Sequence, residues 1–149
     1  MQPRLNPQAA APEALAGMYA FEKAVVNGGL EHGLVHLVKT RASQINGCAY
    51  CIEMHTRDTR RAGETEARLY LLDAWREAPH YTPRERAALG WTEALTRIAD
   101  THAPDADYAA LDPHFTDAEK VVLTLLIGAI NSWNRLAIGF RSVPPVRMD

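Results

Sequence analysis

Ala42-Ser43-Gln44-Ile45-Asn46-Gly47-Cys48-Ala49-Tyr50-Cys51-Ile52-Glu53-Met54-His55 is the stretch around which the chain is arranged. It holds the only two cysteines of 149 residues, spaced C-x-x-C, with a histidine four residues after the second. Asn46-Gly47 is a turn signal and the residues beyond it read as helix, so the cysteines open a helix. At that position they meet unpaired backbone N–H groups and the positive end of the helix dipole, which both favour a thiolate over a thiol. At about 100° per residue, Cys48, Cys51 and His55 fall within roughly 60° of one another on one face. Cys51 and His55 are one turn apart. A base beside a thiol, with a second thiol one turn earlier, is the minimum set for dithiol redox chemistry.

Three plainer readings stand beside that one. The pair can be two small buried hydrophobes. It can be a static disulfide, although so short a loop constrains the unfolded chain little. It can be part of a zinc site made of Cys48, Cys51 and His55 with His36 or His32, although the second ligand pair of the usual zinc spacing is missing.

The run Leu37-Val38-Lys39-Thr40-Arg41-Ala42-Ser43-Gln44-Ile45-Asn46-Gly47-Cys48-Ala49-Tyr50-Cys51, followed by His55, resembles the alkylhydroperoxidase D (AhpD) core of the carboxymuconolactone decarboxylase superfamily. Ala74-Trp75-Arg76-Glu77-Ala78, the segment from Thr82 to Thr96, and Ile130-Asn131-Ser132-Trp133-Asn134-Arg135-Leu136-Ala137 look like the same single-domain branch. The resemblance implies an all-α helical bundle with the C-x-x-C at the N-terminus of a central helix. It also implies a thiol-dependent peroxidase whose catalytic residues are Cys51, Cys48 and His55, with neither cofactor nor metal. The partners implied are a hydroperoxide substrate and an external dithiol or lipoyl-type reductant. The family forms homo-oligomers, here a hexamer in preference to a trimer. AhpD proteins carry a relay glutamate twelve residues before the first cysteine, where this chain has His36, and a relay histidine directly before the second cysteine, where it has Tyr50. An imidazole passes protons at neutral pH, so His36 is the fourth candidate catalytic residue. The alternatives are a redox sensor or disulfide reductase without peroxidase turnover, and a decarboxylase-type enzyme of the same superfamily.

The rest of the chain fits a single soluble domain. The apolar fraction is 47% and the charged fraction 23%, ordinary for a globular protein. A net charge of −2 with no basic stripe argues against nucleic acid as a partner. Residues 1–12 lack the charged start and apolar run of a signal peptide and read as a loosely ordered lead-in. The expected domain is 13–142 and the tail 143–149. The expected compartment is the cytoplasm.

Helical periodicity places helices over about 12–27, 30–45, 48–62, 65–75, 82–100, 105–111 and 117–140. Thr82-Pro83-Arg84-Glu85 and Thr116-Asp117-Ala118-Glu119 are capping boxes. Val121 to Ile130 is apolar almost all round, too short by itself to cross a membrane, and reads as buried in the core or in a subunit contact. His32, His80, His102 and His114 read as solvated.

Overall fold

The computed structural model describes residues 2–145; Met1 and the last four residues of the expected 143–149 tail lie outside the described residues. Every regular element among them is helical: α1 (Pro7–Ala10), α2 (Pro12–Val26), α3 (His32–Asn46), α4 (Ala49–Arg61), α5 (Glu66–Tyr70), a 3-10 turn (Leu72–Ala74), α6 (Pro83–Thr96), α7 (Ile98–Thr101), α8 (Asp105–Ala109) and α9 (Asp117–Gly139). Both capping boxes are formed. The Thr82 hydroxyl accepts from Glu85 N and the Glu85 carboxylate accepts from Thr82 N, with the same reciprocal pair at Thr116 and Glu119. Each satisfies two N–H groups that a helix start leaves without partners.

Three boundaries differ from expectation. The helix expected over 65–75 divides into α5 and the 3-10 turn. Leu69, Leu72 and Trp75 are buried, at a spacing of three, which the three residues per turn of a 3-10 helix serve better than 3.6. The helix expected to reach Asp100 stops at Thr96, and Arg97 leaves the helical region. The Thr101 hydroxyl donates to Ala94 O at 2.6 Å, taking a carbonyl at that helix end. The lead-in is docked rather than loose: Asn6 caps α1, and Arg4 donates to Phe140 O from its backbone and to Gly139 O from its guanidinium.

The helix at the centre is α3, which packs on α4, α6 and α9. Nine of its residues, from Leu34 to Ser43, are buried. Arg41 is among them because Glu93 of α6 accepts from its Nε and Nη2 at 2.9 and 2.7 Å. Burial pushes the Glu93 carboxyl up, but hydrogen bonds from Trp75, Arg41 and Arg76 outweigh it and hold the group below its ordinary value. This cluster fixes α3 to α6 and to the 3-10 turn.

At 23 residues, α9 is long and apolar enough to cross a membrane by length and composition, so the expectation from ten apolar residues understated it. Packing identifies it instead as a core helix. Leu123, Leu126, Ile127 and Ile130 are buried, and Asn131 and Asn134 make hydrogen bonds inside the bundle. It is not wrapped completely: Val121 and Leu125 remain 58% and 43% exposed.

Candidate dithiol site

The site is built where α3 hands over to α4. Gly47, at φ +68°, ends α3, with Gly47 N donating to Gln44 O and Cys48 N to Ser43 O at 3.1 and 3.0 Å. That is the paired 5→2 and 6→1 closure for which glycine is suited, since a side chain is disfavoured at that φ. Cys48 is thereby placed as the N-cap of α4, and its sulfur accepts from Cys51 N at 3.3 Å. Cys48 and Cys51 form a disulfide, with Cα atoms 5.3 Å apart. The helix N-terminus expected for the cysteines is therefore observed, and the two sulfurs are bonded to each other.

The turn is held from behind by α9. Asn46 Nδ2 donates to Asn131 Oδ1 at 2.9 Å and to Asn134 Oδ1 at 2.8 Å. Asn134 Nδ2 in turn donates to Ser43 Oγ at 3.0 Å, and Asn131 Nδ2 to Thr96 Oγ1 at 3.1 Å. The segment Ile130-Asn131-Ser132-Trp133-Asn134 thus has a physical task beyond core packing: two amides of α9 fix the register of the cysteine turn.

Cys51 and His55 open on a cleft of about 360 Å3. Its walls are Leu15, Tyr19 and Glu22 of α2, Tyr50 and Met54 of α4, and Ile130, Trp133 and Leu136 of α9. Tyr19 and Trp133 form a tilted aromatic pair with ring centres 5.1 Å apart. His55 is buried, and its Nε2 has no hydrogen-bond partner among the described residues. Burial, reinforced by the charge of Lys39, lowers its pKa from 6.5 to about 4. The imidazole beside the disulfide is therefore neutral at pH 7 and has a free nitrogen.

His36 lies on α3, half-buried, with a buried Nδ1 that also lacks a partner. It does not line the cleft. Burial and then Lys39 lower its pKa, and the charge of His36 is one of the influences that lower the pKa of His55. The structure therefore brings Cys48, Cys51 and His55 together and sets His36 behind them. His32, His80 and His102 are exposed and His114 half-buried. Glu53 and Glu31 are engaged elsewhere, with Arg57 and Arg84. No group of three or more His, Cys, Asp or Glu gathers in metal-holding geometry among the described residues.

Sequence reasoning missed Glu22 and Lys39. Among the described residues, Glu22 brings the only carboxylate to the cleft wall. Its Oε1 accepts from Lys39 Nζ and its Oε2 from Trp133 Nε1 at 3.2 Å. The available signal was a glutamate within the apolar stripe Leu15, Met18, Tyr19, Val25, Val26 of the first helix, and a lysine between Val38 and Thr40 on a buried one.

Fold and site together define a class: an all-helical protein with a redox-spaced disulfide at a helix N-terminus and a buried imidazole one turn on. Residues 12–94 match the sequence model of the carboxymuconolactone decarboxylase family, and the chain belongs to that family, on its AhpD-like side. An uncharacterised Bacillus subtilis (strain 168) protein, YdfG, is 42% identical over 138 residues, 93% of this chain and 94% of that one. The crystal structure of ATU0492 from Agrobacterium tumefaciens, a protein of unknown function provisionally described as the antioxidant defence protein AhpD, superposes with a TM-score of 0.95. It is 50% identical to this chain, with 98% of this chain and 100% of that one covered. An AhpD-core, peroxidase-related protein of Ralstonia eutropha JMP134 shares the fold at 23% identity and a TM-score of 0.81, over 93% of this chain and 74% of that one.

Proposed function

We propose that the protein is a thiol-dependent peroxidase that reduces hydroperoxides through a Cys48/Cys51 dithiol–disulfide cycle. The observation that carries this reading is the Cys48–Cys51 disulfide beside a neutral His55, whose Nε2 has no partner among the described residues, on the wall of an apolar cleft. In the reduced protein, His55 takes the Cys51 proton and the thiolate attacks the terminal oxygen of R–O–OH. The O–O bond breaks, an S–O bond forms, and the alkoxide leaves with the proton from His55 as R–OH. Cys51 is now a sulfenic acid. The Cys48 thiolate displaces its hydroxide, which is released as water with the Cys48 proton, and the disulfide results. An external dithiol, lipoyl groups being the family's kind, returns both thiols by exchange.

His36 is the second imidazole of this relay, supported by its unpaired Nδ1 and its electrostatic coupling to His55. On this reading His36→Ala slows thiol oxidation and moves its pH profile, and His36→Glu restores it. The test of the function itself is turnover. Hydroperoxide consumption with excess dithiol persists over many equivalents in the wild type and is abolished in Cys51→Ser, and a sulfenic-acid reagent labels Cys51 in Cys48→Ser. Consumption that stops after one equivalent per chain would make the disulfide a sensor's switch.

A further inference from the structure

The disulfide borders two clefts, one through Cys51 and the other through Cys48. The second, of about 370 Å3, is lined by Cys48, not Cys51, and lies between the end of α3 and the end of α9. Tyr50, Ala137 and Ser142 border both clefts, which are therefore neighbours. Where the first is walled by apolar side chains, the second carries two guanidinium groups, Arg4 and Arg141. Neither is paired with a carboxylate among the described residues; Arg4 spends one N–H on Gly139 O at 3.0 Å.

Arg141 is held there at a cost. The end of α9 closes as the end of α3 does, with Arg141 N donating to Ile138 O and Ser142 N to Ala137 O. In α3 the left-handed position of this closure is Gly47; in α9 it is Arg141, at φ +57°. A non-glycine residue is strained there, and glycine is the usual occupant. The strained residue stands on the wall of the cleft that reaches Cys48.

We propose that this second cleft is the docking site of the reductant, and that it selects a small dithiol carrying a carboxylate, which Arg4 and Arg141 receive. This rests on the peroxidase reading and names the reductant class for it. A thiolate of the reductant attacks the Cys48 sulfur, forming a mixed disulfide at Cys48 and releasing Cys51 as thiolate. Cys51 is the better leaving group, because it sits beside His55 and within the first turn of α4. The reductant's second thiolate then attacks its own sulfur of the mixed disulfide, closes its own disulfide and frees the Cys48 thiolate. Two electrons pass from reductant to protein, and the two thiolates take up the two protons lost by the reductant's thiols. Peroxide and reductant thus reach the same disulfide through different clefts, one lined by Cys51 and the other by Cys48.

The experiment follows reduction of the oxidised protein without peroxide, so that its outcome is independent of peroxidase activity. The probes are dihydrolipoate, which bears a carboxylate, and dihydrolipoamide, its neutral counterpart. The wild type is reduced faster by dihydrolipoate by about fivefold, the scale of two exposed charge contacts, and the ratio shrinks with added salt. Arg141→Gly, which relieves the backbone strain and is expected to fold, brings the ratio towards one, as does Arg4→Gln; Arg141→Lys keeps most of it. Acid-quenched mercaptosuccinate reactions give the mixed disulfide on Cys48. Equal rates for the two probes in the wild type, a ratio that survives loss of both arginines, or an adduct on Cys51 would overturn the proposal.

Discussion

His55 carries a tension that the chemistry has to resolve. In the disulfide state burial holds it at about pKa 4, so it is neutral but a weak base. A thiolate on Cys51 changes the balance, because an opposite charge within one turn favours the imidazolium. His55 is therefore expected to titrate near 4 in the oxidised protein and at clearly higher pH after reduction, as read from its imidazole resonances. Identical values in both states would separate His55 from the thiol. The same shift sets a stability dependence. The folded value lies below the unfolded 6.5, so the unfolded chain binds the proton more readily. The stability that a neutral His55 contributes is fully present above about pH 6.5 and is lost as pH falls towards 4, by on the order of 3 kcal/mol. Denaturant titrations of the oxidised protein across that window check it, and His55→Gln flattens the slope. The residue itself was legible in the sequence from its spacing to Cys51. Its burial was not, because burial comes from α2, α3 and α9, whose approach to α4 no local pattern encodes.

At the scale of elements, the site depends on the joints between helices. The two capping boxes and the Asn46-Gly47 turn were readable because each is a local contest over backbone N–H and C=O groups within a few residues. The ties from α9 to the cysteine turn span 85 and 88 residues and had no such signal. Asn134 is fully buried and serves both Asn46 and Ser43. Replacing it with alanine leaves those groups underpaired and costs about 2 kcal/mol. Amides of the Gly47–Cys51 turn should then exchange faster with solvent than in the wild type, while those of α6 are unchanged. A second joint is Glu22–Lys39, joining α2 to α3, with the lysine side chain 10% exposed. Glu22→Gln strands that ammonium and destabilises by about 2 kcal/mol, whereas Glu22→Gln with Lys39→Met recovers most of the loss. A double variant as unstable as the sum of its parts would show that the pair does not act as a unit. The split of the expected 65–75 helix belongs here too: Leu69, Leu72 and Trp75 are buried at a three-residue spacing, which does not announce which helix type it will adopt.

For the whole molecule, the all-α class followed from helical periodicity throughout, and the family from the C-x-x-C and its flanks. Assembly is the property a single chain expresses as an unfinished surface. Val121, Leu125 and Gly128 recur on one face of α9 and are exposed, with half-buried Ser132 continuing it and Val121 and Leu125 its apolar part. A homo-oligomer built along this face, a hexamer in preference to a trimer, is the expected form, since closed symmetry buries such a stripe on every copy. Light scattering at micromolar concentration should give a multiple of 16.5 kDa, and Leu125→Glu should lower it. A mass of one chain, unchanged on concentration, would contradict this. The central claim, that Cys48 and Cys51 carry out peroxide reduction as a pair, has a direct measurement because the chain has no other cysteine. Fully reduced protein is mixed with one equivalent of an organic hydroperoxide, and free thiols and product alcohol are counted together. The predicted result is two thiols lost and one alcohol formed per chain, with none of either in Cys51→Ser. Thiols that remain at two per chain while the hydroperoxide persists would contradict the claim.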